Sequence, residues 1–173
     1  PAMGYYLNTR GNQKENPATG RQPDENFARE VMQLMSIGLV MLNPDGTAQR
    51  DSAGKPIDSY TQSDVTHLAR VFTGYDYDQS RNSPTTVPGS SRTVPSTAFT
   101  RLPMALNESR HSTLTATFLG TTIAAGTPGA AALKTALDRE GAGADIPVFT
   151  ILFGAASEEQ MKLLEQKRVL SIY

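Results

Sequence analysis

The chain has 173 residues, which is enough for one domain with a hydrophobic core and short for two. Its 16 basic and 17 acidic residues are interspersed and give a net charge of −1, so no basic stripe is available to follow a nucleic-acid backbone. No apolar run approaches the roughly 20 residues that span a bilayer. The absence of cysteine excludes disulfides and thiolate metal sites, and two histidines cannot form a three-histidine metal site by themselves.

The first 22 residues contain Tyr5, Tyr6 and Leu7, followed by a polar run over residues 8–22. We expect the first part to be the end of a helix and the polar run to be a loop. The chain starts at Pro1 without an initiator methionine or a leader sequence, so it is expected to be a fragment of a longer protein.

A first complete helix is expected between Asp24 and Gly38. The Asp24 carboxylate is placed to accept the free amide hydrogens of the first turn. Gly38 provides the left-handed conformation in which many helices end. The i, i+4, i+7 and i+8 spacing of one apolar helix face is met by Phe27, Val31, Leu34 and Met35.

Turn signals and a second helix follow. Residues 43–47 and 51–56 have turn composition, which predicts a small β-hairpin, or a pair of hairpins, inserted between the helices. The second helix begins at Thr61, whose spacing to Asp64 is that of a capping box, and it ends at Gly74. Its buried face is expected to comprise Val65, Leu68, Ala69 and Phe72.

The second half of the chain has weaker signals. Residues 75–110 are polar and irregular, and a loop of this length is either functional or mobile. Residues 121–123 are a candidate strand, and Pro128 is suited to the first position of a third helix. Residues 146–154 resemble a strand and residues 157–164 a capped helix.

These elements predict a mainly α fold: a helical domain with a small β-hairpin insertion, long loops and a candidate strand–helix unit at the end. The domain boundaries that follow are 1–137 for the helical domain and 138–173 for the strand–helix tail.

Four segments together resemble one known family. They are residues 1–7, residues 23–30 with the sequence PDENFARE, residues 60–65 continuing to 69–74, and the histidine-containing segment 110–112 with 118–123. Over about residues 1–137 the chain resembles the bacterial domain-of-unknown-function family 1800 (DUF1800). The resemblance implies a mostly helical bacterial domain within a larger and often exported protein, hence a periplasmic or extracellular location, and it implies no established activity.

Two features depart from the family pattern. The family histidine is commonly followed by aspartate, whereas Ser112 follows His111 here, so a histidine–aspartate pair of adjacent residues is missing. The tail from about Asp145 is similar to a strand–helix unit of a von Willebrand A-type domain, whereas family members usually continue with another helical pattern.

The first helix carries the main candidates for chemistry. On a helix, Glu25 and Arg29 share one face, as do Asn26 and Glu30. One interpretation is a charged first turn with an exposed ion pair worth about 0.3–0.5 kcal/mol. In a second, Glu30 acts as acid, base or metal ligand and Arg29 binds an anionic group. In a third, Arg29 or Glu30 is buried and satisfies loop backbone groups.

The sequence predicts different surroundings for the two histidines. His111 is a candidate general base or metal ligand, although a histidine in a loop more often hydrogen-bonds to the backbone. His67 lies opposite the apolar face of the second helix, so it is expected to face solvent or a neighbouring helix. The candidate catalytic set is therefore Glu30, Arg29 and His111, and no cofactor-binding residue or metal ligand is assigned.

Other motifs give no positive support for an enzyme. Nucleotide-binding, serine-hydrolase and zinc-protease signatures do not occur. Calcium prefers several oxygen ligands, but the loop aspartates lack the spacing of an EF-hand, and turn formation explains them more simply. These aspartates are Asp45, Asp51, Asp58, Asp76 and Asp78.

Two functions from different classes remain. The first is a structural or binding domain of an exported bacterial protein that engages a protein or polysaccharide partner through its loops. The alternative is a hydrolase-like or metal-assisted enzyme that uses Glu30, Arg29 and His111. The sequence predicts no nucleic-acid partner and no membrane span, and it leaves the oligomeric state open.

Overall fold

A computed structural model describes residues 2–141. The predicted tail, with a strand at 146–154 and a helix at 157–164, lies outside the described residues. The helices are α1 (Ala2–Tyr6), α2 (Asn26–Glu30), a π-helix (Val31–Met35), α3 (Gln62–Val71) and α4 (Gly129–Gly141), with short 3-10 helices at Ala98–Arg101 and Glu108–Arg110. The strands are β1 (Tyr75–Tyr77), β2 (Thr85–Thr86), β3 (Thr93–Val94), β4 (Met104–Leu106), β5 (Ala116–Phe118) and β6 (Thr121–Ile123).

The expectation of a mainly α fold is wrong. Within residues 2–141 the longest helices are α4 with 13 residues and α3 with 10, and three two-stranded antiparallel sheets lie among them. Helix-forming stretches in this chain are short and alternate with segments rich in threonine, proline and glycine. Because β-branched residues favour extended backbone and glycine and proline favour turns, these segments pair as strands instead of extending the helices.

The predicted first helix divides into α2 and the π-helix. The residue that caps α2 is Glu25, while the Asp24 carboxylate accepts the Asn26 N–H at 2.8 Å. The π-helix has more residues per turn than an α-helix, so it rotates the apolar stripe. As a result, Met32 is fully buried, whereas Leu34, which the α-helical spacing places in the core, is 72% exposed.

Residues 39–59, predicted as one or two hairpins, form a ring of three paired segments. The Met41 N–H donates to the Ile57 carbonyl at 2.9 Å. The Ile57 N–H donates to the Gln49 carbonyl at 3.0 Å, and the Gln49 N–H donates to the Met41 carbonyl at 2.8 Å. Each segment therefore pairs with both of the others, which closes the group on itself and leaves fewer unpaired edges than a hairpin would.

The segment 75–110, expected to be irregular, is a hairpin within a hairpin. Its ends pair as β1 and β4, with Tyr75 opposite Leu106, and its middle pairs as β2 and β3. A further hairpin joins β5 to the predicted strand at 121–123, which is β6. Its turn contains Leu119 and Gly120 with φ of 46° and 75°, the positive values that two-residue hairpin turns require.

Helix α3 lies at the centre of the described core and packs against α2, α4 and β5. Thr61 and Asp64 form the expected capping box. The ring of Phe72 meets Phe27 edge to face, with centroids 4.6 Å apart. The expected inner face of α3 is fully buried, and it consists of Val65, Leu68, Ala69 and Phe72.

Polar side chains of α3 bind the backbone of the neighbouring β5 hairpin. The Asp64 carboxylate accepts the Leu119 N–H at 2.8 Å, and Arg70 donates to the Thr115 carbonyl at 2.5 Å. Between them, the Nδ1 of His67 lies 2.7 Å from the Thr117 carbonyl oxygen. The three residues recur at intervals of three, so one helix face fixes the hairpin along its length.

The carboxylate of Asp64 is expected to make stability depend on acidic pH. Burial opposes its charge, but hydrogen bonds from the hydroxyl and N–H of Thr61 and from the Leu119 N–H outweigh burial and lower the pKa of Asp64 below 3.8. The folded-state pKa lies below the unfolded value, so this stabilisation is complete above the unfolded pKa and is lost as pH falls through the folded pKa.

We therefore expect Asp64→Asn to lower the free energy of unfolding by about 1 kcal/mol at neutral pH. The difference between variant and wild type should shrink as the pH falls below about 4. Thermal unfolding at a series of pH values measures both effects. A difference that stays constant with pH would show that Asp64 stabilises the fold equally in both protonation states.

Candidate functional site

Two of the predicted catalytic residues, Arg29 and Glu30, lie on α2. Arg29 donates to the Glu25 carboxylate at 3.1 Å and to the Gln62 side-chain oxygen at 2.9 Å, with 41% of its side chain exposed. Glu30 is half-buried, and its side chain makes no hydrogen bond or ion pair with other residues in the range 2–141. The two neighbours therefore have different surroundings, and only Arg29 belongs to a polar network.

Glu25 is the centre of that network. Its two carboxylate oxygens accept from Gln62 Nε2 at 2.7 Å and from the Thr66 hydroxyl at 2.7 Å, in addition to Arg29. Gln62 and Thr66 both lie on α3, so Glu25 links α2 to α3. The ion pair with Arg29 was expected from the sequence, but the part played by Gln62 and Thr66 depends on how the two helices pack.

We expect Glu25→Ala to lower the free energy of unfolding by about 1–2 kcal/mol, because three donors lose their acceptor at a partly exposed position. Glu30→Ala, on the same helix and without such partners, should change it by less than about 0.5 kcal/mol. Chemical denaturation of both variants measures the contrast. Equal effects would mean that helix propensity, and not the network, determines the loss.

The third predicted catalytic residue, His111, lies in a different part of the molecule. It follows the 3-10 helix Glu108–Arg110, and only 3% of it is exposed. Its Nδ1 lies 3.1 Å from the Thr73 carbonyl oxygen and 3.3 Å from the Thr73 hydroxyl. Within the described residues, no hydrogen bond or ion pair connects His111 with Arg29 or Glu30, so their joint catalytic role stays a prediction.

Buried polar groups surround His111. The Ser112 hydroxyl donates to the Glu15 carboxylate at 2.9 Å, and its N–H donates to the Thr73 hydroxyl at 2.8 Å. Glu15, which is distant in sequence, therefore binds Ser112, whereas the partner of His111 Nδ1 is Thr73. This cluster joins the N-terminal loop to the segment after β4.

A second carboxylate in the same region caps α4. Glu108 accepts the Gly129 N–H with both oxygens, at 3.0 and 3.1 Å. Burial, and secondly the negative charge of Glu108, raise the pKa of Tyr75 to about 12. The Tyr75 hydroxyl is therefore protonated at neutral pH, and it is unsuited to act as a base.

Two of the aspartates considered as calcium ligands, Asp45 and Asp51, form turns. Asp45 Oδ1 accepts the Thr47 N–H at 2.9 Å, and Asp51 Oδ1 accepts the Ala53 N–H at 2.9 Å. The Thr47 hydroxyl, which donates to Asp45 at 2.7 Å, and secondly the Thr47 N–H lower the pKa of Asp45 below its usual value. Within residues 2–141 no group of three or more histidine, aspartate or glutamate side chains is arranged to hold a metal ion.

A polar groove opens in the loop that connects α1 to α2. It has a volume of about 290 Å³. Its lining includes four carboxamides, two guanidinium groups and one carboxylate. The lining residues are Asn8, Arg10, Gly11, Asn12, Gln13, Arg21, Gln22 and Asp24.

The groove is held in shape by hydrogen bonds between its two sides. Asn12 donates to the Asp24 carbonyl at 3.0 Å and accepts the Asp24 N–H at 2.9 Å. Asn8 Nδ2 donates to the Asp24 carboxylate at 3.3 Å, and the Gly11 N–H donates to the Tyr75 carbonyl at 2.9 Å. Both walls are thereby attached to each other and to β1, so a ligand would meet a preformed surface.

Several lining groups retain unused hydrogen-bonding capacity. The carboxamides of Gln13 and Gln22 form no hydrogen bond to any residue between 2 and 141. The sequence alone marked this run only as a polar loop. The carboxamide-rich run between Arg10 and Arg21 was the only feature of the sequence that pointed to a binding site here, and such composition is also common in ordinary loops.

The fold and the groove together define a small domain of short helices and sheets with a polar surface site. A family model described as protein of unknown function (DUF1800) matches residues 1–139. The chain belongs to this family, which confirms the resemblance carried by residues 23–30 and the other three segments. The likeness of the tail to a von Willebrand A-type unit is not confirmed.

Two further comparisons add no relative. No curated protein and no solved structure matches the chain. The family description assigns no activity, so the chain is an uncharacterised domain of unknown function. Among the described residues, no helix is both long and apolar enough to cross a membrane.

Proposed function

We propose that this chain is a binding domain of an exported bacterial protein, and that the groove in the α1–α2 loop binds a polysaccharide. The observation that carries the proposal is the lining of that groove, in which carboxamides and guanidinium groups surround a preformed cavity of about 290 Å³. Export and bacterial origin rest on the family resemblance.

The chemistry of the lining favours a sugar over a protein partner. Carboxamides both donate and accept hydrogen bonds, as sugar hydroxyls do, so each can pair with a hydroxyl in either direction. Protein-binding hot spots instead centre on buried aromatic and apolar anchors. A volume of about 290 Å³ lies near the lower limit for small-molecule sites, which suits one or two sugar units of a longer polymer.

Exposed aromatic residues occur close to the groove in the sequence. Tyr5 and Tyr6 of α1 are 65% and 78% exposed, and Asn8, which lines the groove, follows two residues later. Aromatic rings offer a flat apolar surface on which the C–H face of a sugar ring can pack. The proposed site includes these tyrosines because of this proximity in the sequence.

Titration calorimetry against a panel of bacterial and plant oligosaccharides tests the proposal. Gln13→Ala and Gln22→Ala each remove one free carboxamide from the groove and should each weaken binding by about tenfold. Gln33→Ala is the matched control, because it removes a carboxamide from the π-helix, away from the groove lining. Binding that none of the variants weakens, or weakening by the control alone, would place the ligand elsewhere.

A further inference from the structure

We infer that the sugar bound in this groove is acidic, and that Arg10 and Arg21 select its carboxylate group. The inference rests on the proposed polysaccharide-binding function and concerns the same site. Three observations support it: the way the two arginine side chains are anchored, the hydrogen bonds that the Asp24 carboxylate accepts, and the charges of the groove lining.

Arg10 is anchored through only one of its nitrogens. Its Nε lies 3.4 Å from the Asp76 carboxylate, and its guanidinium carbon lies 4.6 Å from the centre of the Tyr77 ring. Tyr77 in turn stacks on Phe99 with ring centroids 4.8 Å apart. The stack orients the guanidinium plane, and within the described residues its two terminal nitrogens have no hydrogen-bond acceptor.

Arg21, on the other wall of the groove, is also anchored through its Nε. Its Nε donates to the Lys14 carbonyl at 3.2 Å, and the Asn16 N–H donates to the Arg21 carbonyl at 2.9 Å, which fixes the backbone of this turn. The terminal nitrogens of Arg21 likewise meet no acceptor among residues 2–141. An arginine anchored through Nε presents the paired N–H donors that match the two oxygens of a carboxylate.

The carboxylate in the groove is already engaged. Asp24 accepts the Asn26 N–H with one oxygen at 2.8 Å and Asn8 Nδ2 with the other at 3.3 Å. In the described structure Asp24 forms no ion pair with Arg10 or Arg21. Arg10 pairs with Asp76, which lies outside the lining and also pairs with Arg110 at 3.5 Å. The groove and these neighbours therefore carry three guanidinium groups against two carboxylates, and this excess of positive charge attracts an anionic ligand.

The neutral groups complete the recognition of a uronic acid. Gln13 and Gln22 have free carboxamides for ring hydroxyls, while the arginines provide donors only. A sugar that carries both hydroxyls and a carboxylate uses both kinds of group. Inorganic phosphate has no sugar ring and would leave the carboxamides without ring hydroxyls, so the lining favours an acidic sugar. We take this sugar to be a uronate, because the paired N–H donors of arginine match the two oxygens of a carboxylate, and sulfated sugars are compared in the test.

The test compares oligosaccharides that differ only in charge, using the full chain. Oligomers of galacturonate, glucuronate and mannuronate are titrated beside the same oligomers with their carboxyl groups reduced to alcohols. We expect at least one acidic oligomer to bind about tenfold more tightly than its reduced form, and this preference to weaken as salt rises. Arg10→Gln and Arg21→Gln should each remove most of the preference.

Two variants serve as controls. Arg21→Lys keeps the charge but not the paired donors, and it should retain only part of the preference. Arg50→Gln removes an exposed arginine that donates to the Gly54 carbonyl at 2.7 Å outside the groove, and it should leave binding unchanged. Circular dichroism of each variant checks that the fold is intact.

The possible results separate the two proposals. If acidic and reduced oligomers bind equally and only Gln13→Ala and Gln22→Ala weaken binding, selection of an acid is wrong and the polysaccharide groove stands. If sulfated oligomers or inorganic phosphate bind as tightly as the uronates, carboxylate selection is wrong as well. If no oligosaccharide of either charge binds, both the acidic ligand and the proposed function are overturned.

Discussion

Replacing Gly74 with alanine is expected to lower the free energy of unfolding by about 3–4 kcal/mol. Gly74 has a φ of +89°, which is unfavourable for any residue with a Cβ atom. An added Cβ would also lie 2.8 Å from the Asn107 carbonyl oxygen and 3.1 Å from the His111 nitrogen. Both are backbone atoms, so the clash can be relieved only by moving the segment that carries His111.

That movement would break the connections at a central junction. The Gly74 N–H donates to the Asn12 carbonyl at 2.8 Å, and its carbonyl accepts the Asn107 N–H at 2.8 Å. Gly74 therefore joins the loop of the groove to the end of β4. For this reason, Gly74→Ala should reduce ligand binding in the groove as well as stability, if the proposed ligand is correct.

Gly46→Ala is the matched control for the Gly74 prediction. Gly46 has a similar φ of +83°, but nothing lies within 4 Å of the position of an added Cβ. It should therefore show only the cost of the left-handed backbone, about 1 kcal/mol. Urea denaturation of both variants measures the difference, and equal losses would contradict a steric origin at Gly74.

Phe72→Ala is expected to destabilise the fold by about 3–5 kcal/mol. The side chain of Phe72 is 0% exposed, and its ring packs edge to face against Phe27 on α2. Its removal would leave a cavity where α3 meets α2, since a helix interface relaxes only partly around a lost ring. Phe72→Leu fills part of this space and should cost less.

Leu34→Ala provides the comparison. Regular α-helical spacing places Leu34 in the core, where its truncation would cost about 2–5 kcal/mol. The π-helix leaves the side chain 72% exposed, so we expect a loss below about 0.5 kcal/mol. Thermal and denaturant unfolding of the two variants would therefore differ strongly. A large loss for Leu34→Ala would mean that this residue is buried after all.

The second helix was predictable because its signals are local. Thr61 and Asp64 cap each other within one turn, and the apolar residues from Val65 to Phe72 follow the helical period. The first helix was predicted less well, because a single inserted residue per turn changes which side chains face the core. For this reason Met32 is buried and Leu34 is exposed, and the identity of neither side chain indicates this.

The prediction of a mainly α fold class was wrong for a related reason. Among the described strands, β1 pairs with β4, which is about 30 residues away, and short threonine-rich segments such as those of the local hairpins carry only a weak strand signal. The sequence identified the turn residues in 39–59 but could not show that three segments close into a ring. Each segment obtains its partners from the others, so its structure depends on their joint arrangement.

The sequence by itself determined the capped and buried helix α3, the turns at Asp45 and Asp51, and membership of the family through residues 23–30. Only the tertiary structure decided that Glu25 links two helices, that Ser112 meets Glu15, and that two arginines line one groove. The physical reason is the range of the interactions involved. Caps and turns form between neighbours in the chain, whereas the groove depends on contacts such as Arg10 with Asp76, which exist only after the core brings distant segments together.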